Sequence, residues 1–239
     1  MNNSIYRLDA PNSIECQIWL IDLRNPLKWG EAQSLSDAEQ ERAKRFRFEI
    51  DARRYVASHT ALRHILGTTL GVSPQDVAID LGPHGKPHPL DSSCHFNLSH
   101  SDDWALIAIH HSEPIGIDLE CYHPFSDWAL LAQQNYTPDE YQALASLPAE
   151  QQALGFLRCW TRKEACLKAL GSGLLIEPHG FEAGVGAEPS RVEIKLPQGG
   201  ACQMDVVSLA LPNAAESDDA PMLLGALALV TPQTAGLCF

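Results

Sequence analysis

Two charged side chains fall on the apolar face of a predicted helix near residue 164. The segment CWTRKEACLKALGSG (159–173) has helical spacing and stops at Gly171, a residue type that favours helix termination. One face of this helix carries Leu157, Trp160, Glu164, Leu167 and Lys168. We expect that face to be buried because it begins with apolar residues. A carboxylate and an ammonium there require partners, since burying an unpaired charge is costly.

A pair of carboxylates is predicted on one face of a short strand. The sequence IGIDLE (115–120) alternates, so Gly116, Asp118 and Glu120 point to one side and the three larger apolar residues to the other. The two carboxylates lie roughly 7 Å apart along the strand, with Gly116 leaving open space beside them. Such a pair can bind a hard divalent cation. The alternative is the solvated polar side of a half-buried strand.

Asp118, Glu120 and Glu164 together form an all-oxygen set suited to Mg²⁺, with Mn²⁺ as the second choice. Magnesium usually joins a protein to phosphate oxygens, so the predicted chemistry is the metal-assisted reaction of a phosphate ester. The competing explanation is a plain salt bridge between Glu164 and Lys168, one helical turn apart. A zinc site is disfavoured because the sequence has no HExxH motif and no paired Cys/His spacing.

Candidate phosphate ligands lie in two further motifs. Ser99 and His100 in FNLSHS (96–101), and Lys86 in HGKP (84–87), can each donate a hydrogen bond to phosphate, although each motif alone is a weak signal. Ser99 lacks a surrounding GxSxG, which argues against a hydrolase nucleophile. A basic run favours either an anionic ligand or a helix face balanced by acidic neighbours. It consists of Arg42, Lys44, Arg45, Arg47, Arg53, Arg54 and Arg63.

Composition excludes several classes of protein. The chain has 239 residues, 45% of them hydrophobic, which is enough for one large domain or two small ones. A net charge of −13 argues against non-specific nucleic-acid binding. No apolar run approaches the roughly 18 residues of a membrane span, and the N-terminus lacks a signal-peptide pattern. Seven scattered cysteines without a CxxC pair favour a reducing cytoplasm over a disulfide framework.

The elements that must position these residues form an α+β mixture. Capping boxes at 36–39 and 137–140 begin two helices, and each is followed by a longer helix, at about 51–70 and 149–170. A turn-rich loop is expected at 82–91. Predicted strands occupy 16–22, 76–81, 95–99, 104–110, 115–120, 191–196, 201–211 and 223–230. The repeated order suggests two similar halves, with a boundary near Pro114 or Pro124.

Four motifs in a fixed order identify a family resemblance. GKP, FNLSHS, IGIDLE and WxxKEAxxKAxGxG resemble the 4′-phosphopantetheinyl transferases, in particular the longer, monomeric class that activates peptide and polyketide synthases. The resemblance covers about residues 36–174. It implies a holo-[acyl-carrier-protein] synthase reaction, in which coenzyme A gives its 4′-phosphopantetheine arm to a serine of an apo acyl, peptidyl or aryl carrier protein. The second product is adenosine 3′,5′-bisphosphate.

The resemblance also implies a fold and a set of residue roles. Two similar α/β subdomains, 1–114 and 115–239, would be related by a pseudo-twofold axis with the active site in the cleft between them. Asp118, Glu120 and Glu164 would hold Mg²⁺, and Glu164 would also accept the serine proton, directly or through water. Lys168 would neutralise charge on the phosphates. The implied coenzyme A ligands are Arg47, Arg54, Lys86, Pro87, Ser99, His100 and Lys168, with Pro87 near the adenine.

One position departs from the family pattern, and two other functions compete. Some relatives have a basic residue where this chain has Glu39, about a turn before the basic run. A metal-dependent phosphodiesterase or nuclease is one alternative, and the acidic balance and the ExxxK spacing argue against it. A non-catalytic module that binds coenzyme A or a carrier protein is the other. The complete set of Asp118, Glu120, Glu164 and Lys168 argues against that module. We expect a cytoplasmic monomer that binds neither nucleic acid nor membrane.

Overall fold

The computed structural model describes residues 5–11, 14–24, 34–91, 93–212 and 221–232. Helices and antiparallel strands are mixed along this part of the chain, which confirms the predicted α+β class. The helices are α1 (Asp37–Ala43), α2 (Glu49–Leu70), α3 (Trp128–Asn135), α4 (Pro138–Ala145) and α5 (Ala149–Leu170). The strands are β1 (Ile5–Leu8), β2 (Gln17–Asp22), β3 (Ile79–Leu81), β4 (Pro87–Pro89), β5 (His95–Ser101), β6 (Trp104–His110), β7 (Ile115–Cys121), β8 (Ser190–Lys195), β9 (Ala201–Leu209) and β10 (Leu223–Val230).

The strands form two main sheets that pack face to face between the two long helices. The first sheet has the order β1-β2-β6-β5, and the second has the order β7-β10-β9-β8. Apolar residues of β2, β6, β7 and β10 form the core between the sheets. The opposite face of the first sheet packs on α2, and the opposite face of the second packs on α5. The layers therefore follow the order α2, first sheet, second sheet, α5.

The helical predictions hold for the two long helices and for both capping boxes. Ser36 and Glu39 cap α1 reciprocally, and Thr137 and Glu140 cap α4 in the same way. Both α2 and α5 have 22 residues and end at a left-handed glycine. Helix α3 is not predicted from the sequence, since TPDE indicates the start of this helical region. The turn-rich segment 82–91 also contains strand β4, which pairs with β3 in a hairpin.

Side chains of β5 accept hydrogen bonds from the backbone amides at the edge of β7 that has no neighbouring strand in its own sheet. These hydrogen bonds join the two sheets. The backbone amide of Ile117 donates to Asn97 Oδ1 at 2.8 Å, and the amide of Leu119 donates to Ser99 Oγ at 3.3 Å. The Cys121 amide donates to Ser101 Oγ at 3.1 Å. Alternate residues of a strand share one face, so these three side chains act as a substitute neighbouring strand. The FNLSHS motif thus fixes the strand that carries Asp118 and Glu120.

Gly116 allows α5 to pack directly on β7, and the expected open space beside it is absent. A Cβ atom added there would lie 2.0 Å from the Ala165 carbonyl oxygen and 2.3 Å from the Ala169 nitrogen. The face with Gly116, Asp118 and Glu120 meets the helix. The alternative of a solvated strand side is therefore wrong, and Asp118 is only 3% exposed. Glycine is required because two backbones are in contact.

Replacing Gly116 with alanine is expected to destabilise the protein by about 3 kcal/mol, at the upper end of the overpacking range. The added methyl group collides with backbone atoms of α5, so the helix must move away from β7. Urea denaturation measures the change in the free energy of unfolding. Gly180→Ala is the matched control, because no atom lies within 4 Å of its added Cβ. A Gly116→Ala protein as stable as this control would contradict the packing argument.

The cysteines and the helices of the described residues bear on the expectations about disulfides and membrane spans. The free thiols include Cys16, Cys94, Cys121, Cys159 and Cys166, while Cys238 lies outside the described residues. None of the described helices combines the length and the apolar character needed to cross a membrane.

Candidate active site

Helix α5 presents two distinct faces, and the buried one differs from the prediction. The predicted face, with Trp160, Glu164 and Lys168, is only half-buried and lines a cleft. The fully buried face includes Arg162 and Lys163. Pattern reading places basic residues in solvent, but these two are neutralised or hydrogen-bonded inside the protein. Lys163 Nζ lies 2.7 Å from Glu140 Oε2, and Arg162 Nε donates to the Ala183 carbonyl at 2.7 Å.

Lys168 reaches across to β7 and joins α5 to both sheets. Its Nζ lies 2.5 Å from Asp118 Oδ1 and 2.9 Å from Ser99 Oγ. Ser99 donates its own hydroxyl hydrogen to the same carboxylate oxygen at 2.9 Å. The expected alternative, a salt bridge between Lys168 and Glu164, is wrong because the ammonium pairs with Asp118. The lysine therefore provides the positive charge for the strand carboxylate.

The three predicted carboxyl groups all have raised pKa values. Burial raises the pKa of Asp118, and the nearby Lys168 only partly opposes this. Burial and the Asp118 charge raise the pKa of Glu120, whose Oε2 accepts a hydrogen bond from Ser101 Oγ at 3.1 Å. Burial and the Asp118 charge also raise the pKa of Glu164. These carboxylates repel one another, so an added cation would stabilise their ionised forms.

The predicted three-carboxylate metal set is not preassembled. Within the described ranges, no group of three or more histidine, cysteine, aspartate and glutamate side chains is arranged to hold a metal ion. Lys168 occupies one oxygen of Asp118. The other oxygen, Oδ2, is buried and has no hydrogen-bond partner in the described part of the chain. A buried acceptor without a partner is unfavourable. Asp118 can therefore accept a cation at an oxygen that no other described group uses.

A cleft of about 590 Å³ runs along the half-buried face of α5. Glu164 and Lys168 line it, and the hairpin residues Lys86 and Pro87 line it as well. Lys86 Nζ donates to the carbonyl oxygens of Ala169 at 2.8 Å and Ile115 at 3.1 Å. The structure thus brings the GKP motif and the KEAxxK motif to one cavity. Lys86 also ties the hairpin to the end of α5.

The remaining predicted phosphate ligands are dispersed. Arg54 lies on α2, and its guanidinium lies 2.9 Å from the Asp103 carboxylate. The carboxylates of Asp51 and Asp102 lie 3.8 Å and 4.0 Å from the same guanidinium. Arg47 is exposed, and its guanidinium lies 5.3 Å from the centre of the Phe48 ring. His100 is exposed too, and partial desolvation and the charges of Lys168 and Arg54 lower its pKa. The effect of the Lys168 charge places His100 in the neighbourhood of that lysine, but neither His100 nor Arg47 is among the described residues that line the cleft.

Part of the basic run serves the fold. Arg63 is 3% exposed, its Nε lies 2.6 Å from Glu39 Oε2, and its Nη1 donates to backbone carbonyls. Lys44 pairs with Glu41 on the surface at 2.7 Å. Glu39, the position that departs from the family pattern, is therefore a capping residue and the partner of a buried arginine. For these residues the balanced-helix explanation of the run is correct.

Sequence reasoning missed two side chains that support the site. Asn97 and Ser101 bind the β7 edge on either side of Ser99, and Ser101 also contacts Glu120. The alternation of polar residues in FNLSHS was the available signal, because positions 97, 99 and 101 share one strand face. That this polar face of β5 binds the backbone of β7 becomes clear only from the position of β7 in the fold.

Comparison with known proteins identifies the family. The model described as the 4′-phosphopantetheinyl transferase superfamily matches residues 114–218. A second model, described as the N-terminal part of 4′-phosphopantetheinyl transferase, matches residues 27–112. The two matched segments meet in the turn between β6 and β7. Together they include every residue that the sequence motifs singled out.

Curated relatives agree with the family models. The chain is 44% identical over 168 residues to 4′-phosphopantetheinyl transferase HetI from Nostoc sp., which covers 68% of this chain and 71% of the relative. It is 36% identical to 4′-phosphopantetheinyl transferase psf-1 of Bacillus pumilus over 65% of each chain. It is 30% identical to a 4′-phosphopantetheinyl transferase of Bacillus subtilis over 77% of this chain and 82% of the relative. The chain therefore belongs to the 4′-phosphopantetheinyl transferase superfamily and is a transferase enzyme.

Proposed function

We propose that this enzyme transfers the 4′-phosphopantetheine arm of coenzyme A to a serine of an apo carrier protein in a Mg²⁺-dependent reaction. The observation that carries the proposal is a cleft lined by Lys86, Glu164 and Lys168, in which Lys168 pairs with the buried Asp118. An ammonium at each of two positions suits an anionic substrate, and adjacent buried carboxylates suit a divalent cation. Adenosine 3′,5′-bisphosphate leaves as the second product.

Asp118 and Glu120 are the proposed cation ligands, with Glu164 as the third, directly or through water. The buried Oδ2 of Asp118 and the mutual repulsion of the carboxylates support this assignment. A bound Mg²⁺ would neutralise the pyrophosphate and make adenosine bisphosphate a better leaving group. Mn²⁺ suits the same oxygen ligands.

Glu164 is the proposed general base and Lys168 the proposed phosphate ligand. The Glu164 carboxylate accepts the proton of the serine hydroxyl, and the serine oxygen forms a bond to the phosphorus of the phosphopantetheine arm. The bond from that phosphorus to the adenosine bisphosphate oxygen breaks. A raised pKa makes Glu164 a stronger base than a solvent-exposed carboxylate. Lys168 moves from Asp118 towards the phosphates, where it balances the charge that develops.

The other coenzyme A contacts are proposed from their position. Lys86 lines the cleft together with Lys168, Ser99 accepts a hydrogen bond from Lys168, and His100 lies within range of the Lys168 charge. These three residues are assigned to the 3′-phosphate and the pyrophosphate, with Pro87 beside the adenine. Arg54 contributes only where phosphate competes with its three carboxylate neighbours. Arg47 is the most remote candidate. The proposed partner is an apo acyl or peptidyl carrier protein, and the enzyme acts as a monomer.

One experiment separates the proposed reaction from its alternatives. The protein is incubated with coenzyme A and Mg²⁺, with or without an apo carrier protein, and adenosine 3′,5′-bisphosphate is quantified by chromatography. A parallel tube contains DNA. Release that requires the carrier supports the transferase, whereas release without the carrier indicates a hydrolase. DNA cleavage indicates a nuclease. Coenzyme A binding without any turnover indicates a non-catalytic binding module.

Lys86→Met is expected to weaken coenzyme A binding roughly 10- to 150-fold while leaving 3′-dephospho-coenzyme A binding much less affected. A charge-assisted hydrogen bond contributes about 1.5–3 kcal/mol. Methionine keeps the aliphatic stem that packs on Gly171 but removes the ammonium. Calorimetric titration of both ligands provides the comparison. Equal losses for the two ligands would restrict Lys86 to its backbone contacts with Ala169 and Ile115.

A further inference from the structure

The two halves of the chain contain equivalent ion pairs, each between a glutamate and a buried basic residue. In the first half, Glu39 is the N3 residue of a capping box and lies 2.6 Å from Arg63 of the long helix α2. In the second half, Glu140 is the N3 residue of the other capping box and lies 2.7 Å from Lys163 of the long helix α5. Each short helix is therefore linked to the next long helix by an ion pair between a glutamate and a buried basic residue.

Each buried basic residue also donates hydrogen bonds to the segment that follows its long helix. Arg63 donates to the carbonyls of Pro74 at 2.9 Å and Val77 at 3.1 Å. Lys163 donates to the carbonyls of Pro178 at 2.8 Å and Phe181 at 2.5 Å, and its Nζ lies 4.6 Å from the centre of the Phe181 ring. Both segments contain a 3₁₀ turn and are otherwise irregular. The hydrogen bonds of the buried basic residue are thus a principal constraint on the conformation of each segment.

Glu140 adds two further contacts to the second segment. Its Oε1 accepts hydrogen bonds from the backbone amides of Ala183 at 2.7 Å and Gly184 at 3.1 Å. Lys163 and Glu140 together therefore bind four backbone groups between residues 178 and 184. Lys163 is fully buried, and Glu140 is 3% exposed.

Only the second segment borders the active-site cleft. Glu177 and Pro178 line it together with Glu164 and Lys168, whereas the lining formed by described residues contains none of residues 74–77. Lys163 directly precedes Glu164 in α5. Lys163 therefore binds the segment that forms the cleft wall, and Glu164, the next residue, lines the cleft itself.

We propose that Lys163 and Glu140 form a positioning pair that holds residues 178–184 and thereby sets the cleft wall at Glu177 and Pro178 for coenzyme A binding. This inference rests on the proposed function. The pair touches neither substrate nor reacting atoms, so its effect should fall on the binding of coenzyme A and not on the rate of bond formation. The equivalent Arg63 and Glu39 pair holds residues 74–77, which are not among the described residues that line the cleft, and it therefore provides an internal control.

The test uses double variants, because removing one partner leaves a buried charge without compensation. Lys163→Met with Glu140→Gln removes both charges at similar volume, and the amide oxygen of the new glutamine side chain can still accept from the Ala183 amide. Arg63→Met with Glu39→Gln is the matched control. The expected result is a KM for coenzyme A about 10-fold higher in the first variant, with kcat within about twofold of wild type. The control should keep the wild-type KM.

Hydrogen exchange of the free protein gives a second readout that needs no turnover. Amides between 177 and 184 should exchange at least about tenfold faster in the Lys163→Met/Glu140→Gln variant. If wild type neither binds coenzyme A nor transfers the arm, the proposed function fails, and the exchange rates still decide whether the pair fixes this segment. If the double variant does not fold, Lys163→Gln with Glu140→Gln retains one donor and should raise KM severalfold. An unchanged KM in a folded variant, or a loss confined to kcat, would overturn the proposal.

Discussion

Replacing Glu164 with glutamine is expected to slow transfer roughly 10²–10⁴-fold, the usual contribution of a general base. The substitution keeps the size and one acceptor oxygen but removes the charge and the basicity. Coenzyme A binding should remain near normal, because the proposed phosphate contacts come from Lys86 and Lys168. Burial and the neighbouring Asp118 charge raise the pKa of Glu164, which suits proton abstraction near neutral pH.

A Mg²⁺ titration of single-turnover transfer separates the two proposed duties of Glu164. If it acts mainly as the base, the rate of the Glu164→Gln protein stays low at every Mg²⁺ concentration. If it acts mainly as a cation ligand, saturating Mg²⁺ restores most of the rate, and the base assignment is wrong. Glu150→Gln is the matched control, since Glu150 is an exposed carboxylate on the same helix and is not among the described residues that line the cleft. A wild-type rate in Glu164→Gln would remove this residue from the site.

Asp118→Asn is expected to reduce transfer by about 10²–10³-fold, a loss typical of removing a group that stabilises developing charge. Unlike alanine, asparagine preserves an acceptor for Ser99, which donates to Asp118 at 2.9 Å. The fold should survive and gain stability near neutral pH. A buried carboxylate with an orphan oxygen is costly, and the amide removes its charge.

The pH dependence of stability provides a check on Asp118 that needs no substrate. Burial raises the pKa of Asp118 in the folded state above that of the unfolded chain. The contribution of its protonation to stability is therefore fully present below the unfolded pKa and is lost as pH rises through the folded pKa. The metal-free Asp118→Asn protein lacks this contribution. Its Tm should exceed the wild-type Tm at neutral pH, and the difference should vanish in acid. A constant difference at all pH values would contradict the burial argument.

The sequence was most informative where residues follow a short-range pattern. Capping signals located α1 and α4, and helical spacing located α5 to within a residue or two. Alternation placed Asp118 and Glu120 on one face of β7, and the order of four short motifs identified the family. These features depend on neighbours a few positions away, so they can be predicted without knowing the fold.

Long-range packing caused the errors. Gly116 was expected to leave space, but it is where β7 meets the backbone of α5. A salt bridge between Lys168 and Glu164 was the competing explanation, but Asp118 lies within reach of Lys168 from another element. Arg63 and Lys163 were not expected in the interior, because their glutamate partners lie 24 and 23 positions earlier in the chain. A charge becomes compatible with burial only through such distant contacts.

The most direct test of the proposed transfer is the intact mass of an apo carrier protein after incubation with this enzyme, coenzyme A and Mg²⁺. We predict that the carrier gains the mass of one phosphopantetheine group. A carrier with its acceptor serine changed to alanine should gain nothing, and the Asp118→Asn enzyme should leave the carrier almost unmodified. A wild-type enzyme of confirmed fold that leaves active apo carriers of the acyl, peptidyl and aryl classes unmodified would contradict the proposed transfer.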